Sequence, residues 1–547
     1  MGQLYVQGIS VDWFGFDQDY GRSREQLPTY PFQRQRYWVE APDWYRQGLL
    51  PHPNGNGNGN GNGNGNGNGN GKTSHHEALT KTSEKSLDNW LYQVEWRIKE
   101  RQGSALLKPK NWLIFTDSQG VGQQLVALLQ SQDQGCTVVF PGKEYEQIAQ
   151  QTFRIDPANP QHYQQLWEKI SNIDGVLHLW SLDSSLDLEL ASSISCGSTL
   201  YLIQTLLKQD GLPPRLWFAT RGAQPVGANP AVPGVAQSPL WGMGKVIGLE
   251  YPEFNSVLMD LDPNPAVDEI QTLWEEIQSE DKEDQVAFRN QARYVARLVS
   301  RSPVVETNKP LVFHNDRSYL ITGGLGDLGL LVAQWMVEQG AKNLVLVGRS
   351  SPKPAIEHKL KKLENSGARV VVAQADVSNA GQVSELLTKI EQSSLPLGGI
   401  VHAAGVVEFS GLSQQDWQGF SQVLVAKVQG TWNLHALTQN QPLDFFVCFS
   451  SIASLLGSHG LGSYGAANAF LDSIAAHRQA LGLPALTVNW GPWDELGMGA
   501  KLNTDHQGRI AAWGLANVAP KQGLFALEQL LQQDLAQVGV MSVDWDK

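Results

Sequence analysis

A phenol, an ammonium and a hydroxyl recur within forty residues of one another in the second half of this 547-residue sequence. They are Tyr464 in SYGAAN (463–468), Lys427 in LVAKVQGTWNLH (424–435) and Ser451 in FSSIAS (449–454). A phenol with a pKa near 10 is a poor acid at neutral pH, so a working Tyr464 needs a neighbour that stabilises its phenolate. Its task would be to protonate an alkoxide as a hydride arrives at the carbonyl carbon. Lys427, on a predicted helix 37 residues earlier, can supply the cation, and Ser451 stands at a predicted strand end 13 residues before the tyrosine. Asn468 follows Tyr464 by four places. Parallel strands bring their C-terminal ends to one edge of a sheet, which is how residues so spaced can meet.

The strands that must do this are legible as apolar runs closed by glycine turns. SYLITGG (318–324) leads into TGGLGDLG (322–329) and then a helical run, LLVAQWMVEQG. Gly324, Gly326 and Gly329 give GxGxxG between a strand and a helix, where glycines let main chain approach a pyrophosphate at the helix N-terminus. The contacts expected there come from Thr322, Gly323, Gly324, Gly326, Asp327, Leu328 and Gly329. The next strand, LVLVGRS (344–350), ends in Arg349 and Ser350 where an NAD-type site would place an acid. A guanidinium pairs with a 2′-phosphate, so the cofactor implied is NADPH.

The first half repeats the order without the equipment. NWLIFTD (111–117), DGVLHLWSL (174–182) and RLWFATRGA (215–223) echo SYLITGG, GGIVHAAGV (398–406) and DFFVCFSSIAS (444–454). Its first turn carries Asp117 where a glycine is wanted, and a carboxylate there would repel a diphosphate. The stretch matching Tyr464 reads SPLWGMGKVIGLEYPE (238–253), with no comparable tyrosine. Strands alternating with helices in both halves predict an α/β fold of two Rossmann-like, doubly wound parallel sheets. The predicted division is 86–305 for a degenerate structural subdomain and 306–547 for a catalytic, NADPH-binding one. Ahead of them lie a segment at 1–50, rich in aromatic rings, and a linker at 51–85 holding the Asn-Gly pairs of 54–71, which cannot bury apolar surface.

These residues resemble the short-chain dehydrogenase/reductase superfamily, and specifically the ketoreductase domain of modular type I polyketide synthases. In the common superfamily pattern a lysine follows the tyrosine by four; in these ketoreductases asparagine stands there and the lysine comes from an earlier helix, as Asn468 and Lys427 do. The resemblance implies that Tyr464 donates the proton, Ser451 hydrogen-bonds the substrate carbonyl, Lys427 lowers the tyrosine pKa and contacts the nicotinamide ribose, and Asn468 completes the polar network. It implies further cofactor contacts from Asp376 and Val377 beside adenine and from Ala403, Ala404 and Gly405 in HAAG (402–405). NWGPWDELGMG (489–499) would lead into a lid, and YPFQRQRYW is similar to the linker that follows acyltransferase domains.

The implied reaction is reduction of a β-ketoacyl thioester on an acyl carrier protein, with ketosynthase and acyltransferase domains as neighbours outside this chain. Val407-Glu408-Phe409 lacks the acid associated with one product hand, and Leu456 replaces the tryptophan associated with the other; the missing acid leans the reading toward an L-hydroxy product. A domain that binds NADPH without consuming it, as epimerase, structural spacer or sensor, is the alternative, against which the intact Ser/Tyr/Lys/Asn set argues. The charge of −13 gives no basic patch for nucleic acid, and the scattered Cys136, Cys196 and Cys448 suggest neither disulfides nor a metal site. With no apolar run of membrane-spanning length, the expectation is a cytoplasmic protein without a membrane partner, monomeric when excised.

Overall fold

The computed structural model describes residues 87, 89–101, 110–183, 187–227, 230–279, 281–301, 311–393, 395–494, 496–497, 508 and 512–546. The segment at 1–50, the linker at 51–85 and most of the expected lid lie outside the described residues. All described residues fall in one compact unit, Lys81–Lys547.

The first half begins with β1 (Leu91–Ile98), then β2 (Asn111–Phe115), β3 (Gly135–Pro141), β4 (Glu146–Ala149), β5 (Thr152–Ile155), β6 (Gly175–His178), β7 (Arg215–Arg221), β8 (Val257–Leu261), β9 (Gln285–Arg289) and β10 (Ala292–Arg301). The second continues with β11 (Ser318–Thr322), β12 (Asn343–Gly348), β13 (Arg369–Gln374), β14 (Leu397–His402), β15 (Phe445–Ser451), β16 (Leu486–Trp490), β17 (Leu515–Ala516), β18 (Gln537–Val540) and β19 (Ser542–Val543). Strand pairing gives β5-β3-β2-β6-β7-β8-β9, all parallel, in the first half. The second half has the matching parallel order β13-β12-β11-β14-β15-β16-β18. The central strands are apolar runs buried on both faces, such as β14 and β16, as parallel strands sandwiched between helices must be.

The two predicted sheets are continuous. β9 turns back into β10, β10 pairs antiparallel with β1 from Leu91↔Arg301 to Ile98↔Tyr294, and β1 pairs with β18 through Leu91↔Val540 and Tyr92↔Gly539. A strand early in the chain therefore closes the free edge of the last parallel strand, and neither half leaves its inner edge unpaired.

The halves also meet through helices. Helix α1 (Pro239–Glu250) follows β7; helix α2 (Asp327–Glu338) follows β11; helix α3 (Trp417–Thr438) follows β14; helix α4 (Gly462–Ala480) follows β15. α1 and α4 occupy equivalent places in the two halves and pack directly on each other. A β-carbon at Gly242 would overlap the Gly465 carbonyl, and one at Gly465 would stand 3.1 Å from the Gly242 carbonyl. Main chain thus touches main chain, a separation only glycine permits. Around the crossing, Trp241, Val246 and Ile247 share one hydrophobic cluster with Phe420, Leu424, Ala466 and Phe470. Replacing Gly242 with alanine forces backbone apart at this crossing, at a cost of about 1–3 kcal/mol. Differential scanning calorimetry on Gly242→Ala is expected to show a melting temperature lower by about 1–3 °C.

Candidate active site

The turn from β11 to α2 forms one wall of a groove of about 360 Å³. Gly323 takes φ +66°, and a β-carbon there would stand 2.8 Å from the Ala403 carbonyl, so β11 and β14 approach closely at this point. A β-carbon at Gly329 would overlap the Gly323 carbonyl, which seats α2 hard against the turn. The N-cap of α2 is Gly326, and no side chain caps the helix. Its first-turn amides therefore face the groove ready for an anion.

The groove is lined by Gly323, Gly326, Asp327, Leu328, Gly329, Arg349, Ser350, Asp376, Val377, Ala403, Ala404 and Gly405. Arg349 is exposed and none of its guanidinium nitrogens is engaged in an ion pair among the described residues. Two expected contacts fall elsewhere. Thr322 is fully buried and its hydroxyl lies 2.7 Å from His402 Nδ1, below the groove. Gly324 backs the groove against the Ile321 carbonyl and Leu346, because its amide is held by the Val347 carbonyl. Burial and the nearby Lys427 push His402 down to about 3, so the ring under the site is neutral at physiological pH.

The first half has the same turn with its anion site filled from within. Asp117 is fully buried, and its carboxylate accepts from the amides of Val121 at 3.2 Å and Gly122 at 2.7 Å, at the start of the helix Val121–Ser131. Asp183 accepts from the amide and hydroxyl of Ser118, at 2.9 and 2.7 Å. Carboxylates sit where α2 presents bare amides.

Beside the groove, sharing Leu328, Ala403 and Gly497 with it, is a cavity of about 150 Å³ that Tyr464, Ser451 and Lys427 all reach. Three elements meet here. α4 carries Tyr464, the end of β15 carries Ser451, and α3 carries Lys427. Tyr464 is half-buried, with its ring centroid 5.8 Å from Lys427 Nζ. Desolvation raises the phenol pKa, and hydrogen bonds from Asn468 and Ser451 pull it back. The net direction is upward, set by burial. Lys427 is 2% exposed, its Nζ donates to the Phe449 carbonyl at 2.8 Å, and burial draws its own pKa down to about 8.

Asn468 lies within α4, fully buried and outside the cavity wall. Its Nδ2 donates to the Tyr464 carbonyl at 2.7 Å, closing an extra bond across the turn of helix that presents the tyrosine. Its Oδ1 has no partner among the described residues. Five rings, Phe409, Phe449, Trp490, Trp493 and Trp513, also line the cavity. Trp490 and Trp493 belong to the stretch expected to lead into a lid, and nothing in its spacing marks them as cavity rings. Val407 and Leu456, from the fingerprint positions, line the same wall. The three cysteines are unpaired, and no helix among the described residues is long and apolar enough to cross a membrane.

Two family descriptions match the chain: KR domain over residues 317–495, and the Rossmann fold domain of polyketide synthase extender module SpnB over residues 155–298. Polyketide synthase GfsA of Streptomyces halstedii is 31% identical over the whole of this chain, which spans 8% of that protein. Pikromycin polyketide synthase component PikAIII of Streptomyces venezuelae is 29% identical, again over the whole chain, which spans 31% of it. The chain thus matches a small part of much longer relatives. A solved structure described as A-type ketoreductases from modular polyketide synthase superposes with a TM-score of 0.73 at 30% identity, over 85% of this chain and 94% of that one. An A1-type ketoreductase gives the same TM-score at 29% identity, with the same coverage. With both halves matched by family descriptions and 30% identity over 94% of a solved ketoreductase of the same fold, the chain belongs to the ketoreductase domains of modular polyketide synthases, oxidoreductases of the short-chain dehydrogenase/reductase type.

Proposed function

We propose that this chain reduces a β-ketoacyl thioester, presented on an acyl carrier protein, to the β-hydroxyacyl thioester, with NADPH as the reductant. The observation that carries this is the junction at Leu328, Ala403 and Gly497, where a groove suited to a dinucleotide opens onto the cavity of Tyr464 and Ser451. The groove fits NADPH on three counts: bare amides at the α2 N-terminus for the diphosphate, no side-chain bulk at Gly323 and Gly326, and an exposed guanidinium at Arg349 for the 2′-phosphate. When bound there, NADPH supplies the hydride.

The protein's own part is to hold the carbonyl and deliver a proton. In this reading Ser451 and Tyr464 hydrogen-bond the ketone oxygen, and as negative charge develops on it the Tyr464 hydroxyl proton moves to that oxygen. Lys427 stabilises the phenolate left behind and meets the nicotinamide ribose, and Asn468 locks the helical turn that presents the ring. The aromatic wall excludes water from this transfer. We assign 306–547 as the catalytic subdomain and 86–305 as the structural one, whose Asp117 fills its own anion site. The unit is proposed to be monomeric, because each half already covers the other's inner edge.

Three measurements test this reading. NADPH oxidation at 340 nm with a small β-ketoacyl thioester, the product alcohol being resolved on a chiral column, is expected to show turnover by wild type and a loss of about 10²–10⁴-fold in Tyr464→Phe. NADPH binding without oxidation across several thioesters would favour the epimerase, spacer or sensor reading.

For Arg349→Ala, NADPH affinity is expected to fall about tenfold or more while NADH affinity changes little, read by titration calorimetry. Lys427 joins function to a stability cost. Its pKa is depressed from 10.5 to about 8 in the folded chain, so at pH 7 holding the charge costs on the order of 3 kcal/mol, relieved as pH rises from 8 toward 10.5. Lys427→Met is therefore expected to melt about 2 °C or more above wild type at pH 7, and to lose most of its turnover. A lower melting temperature would contradict this account.

A further inference from the structure

Helix α1 belongs to the half without a reaction centre, yet one stripe of it contacts much of the segment that carries Ser451 and Tyr464. Its contact residues are 242, 245, 249 and 250, the spacing of a single helix face. Gly242 abuts Gly465, the residue after the tyrosine. Lys245 Nζ donates to the Ser454 carbonyl at 2.7 Å, three residues after Ser451. Leu249 would meet a β-carbon on Gly457 at 2.7 Å, and Gly457 keeps φ +75°. Glu250 spreads its carboxylate between two loops: Oε1 accepts from the Gly460 amide at 2.7 Å, and Oε2 from the Leu412 amide at 2.9 Å.

A buried network ties these contacts to the serine. The Ser454 hydroxyl lies 2.8 Å from the Ser451 carbonyl and 2.6 Å from Asp472 Oδ2 on α4. Asn489 Nδ2 reaches Asp472 Oδ1 at 2.8 Å and Ser450 Oγ at 3.1 Å. Lys245 faces the Asp472 charge from the other side, across a small cavity lined by both. Lys245, Glu250 and Asp472 have no part in the chemistry described above, and neither Lys245 nor Glu250 lines the groove or the Tyr464 cavity. What they hold does line it: Gly457, Ser458 and Leu461 form its wall between the serine and the tyrosine.

We propose that Lys245 and Glu250 are positioning residues of the reaction, by which the first half fixes the 451–465 segment and so sets the distance between Ser451, Tyr464 and the carbonyl they share. Charge-assisted bonds from a helix of the other half hold that segment at Ser454 and at Gly460. A reaction needing near-attack geometry loses about a hundredfold for a misplacement of about 1 Å, so releasing these bonds is felt as rate before it is felt as binding.

This rests on the ketoreductase reading, and its test separates the two. Full-length wild type, Tyr464→Phe, Lys245→Met, Lys245→Arg and Glu250→Gln are assayed with NADPH and a β-ketoacyl thioester mimic, with melting temperature and product enantiomeric purity measured alongside. Lys245→Met and Glu250→Gln are expected to lose about 10–100-fold in kcat per folded chain. KM and NADPH affinity should change less than about threefold, enantiomeric purity should fall, and Lys245→Arg should recover most of the rate. Wild-type kcat and purity in both variants, with only the melting temperature lowered, would make the helix structural and overturn the proposal while leaving the ketoreductase reading intact. Absence of turnover in wild type would overturn both. Should Lys245→Met fail to fold, Glu250→Gln at the helix end decides the question on the same readouts.

Discussion

The two halves meet main chain to main chain at Gly242 and Gly465, where two helices cross with no side chain between their backbones. A side chain on either residue would push α4 away, and α4 is the element that presents Tyr464. The apolar residues around that crossing, among them Trp241, Phe420 and Phe470, form one core common to both halves. Burying them contributes about 1.5–3 kcal/mol per large side chain and belongs to neither half alone. The position of the phenol is thus set by a contact whose partner lies more than 200 residues away in sequence.

The two halves read as one plan resolved in two ways. Trp241 and Tyr464 precede the paired glycines; Thr220 and Ser450 pair in register with Asp260 and Asn489 on the following strands. In the first half these groups satisfy one another: Trp241 Nε1 donates to Thr220 Oγ1 at 2.9 Å, and Thr220 reaches Asp260 at 2.7 Å. Asp117 does the same for the helix amides behind it. In the second half the amides are bare, Lys427 is buried at a cost, and Asn468 Oδ1 lacks a partner. Each of these groups costs stability where it stands, and each lies beside the groove or the cavity.

Much of this was legible in the sequence because it is local. Parallel strands buried on both faces read as apolar runs, and the glycine turn, Arg349 and the tyrosine segment each carry their signal in a few neighbouring residues. What escaped is non-local. β1 and β10 are ordinary alternating strands whose partners the pattern does not name, so the joining of two sheets into one was invisible. The side chain of Thr322 points to His402 because β11 pairs with β14, a fact of register rather than of motif. Lys245 and Glu250 stand in a stretch with no tyrosine comparable to Tyr464, and only the crossing of α1 over the 451–465 segment reveals what they touch. The direction of the Tyr464 shift needed burial, which no spacing encodes.

The ribbon of β1 and β10 has a consequence for how such a unit can travel between assemblies. Because Tyr92 and Leu91 are hydrogen-bonded to a strand that ends at Val540, the beginning and end of the described chain are fastened side by side. Trp545 extends that fastening by donating to the Tyr92 hydroxyl at 3.0 Å. A graft that takes the Rossmann half with the tyrosine and omits residues 91–98 would carry an open strand edge into its new host, inviting pairing with whatever strand comes near. A graft that keeps this clasp intact is cut outside it, before Leu91 and after Trp545, and so carries both halves together.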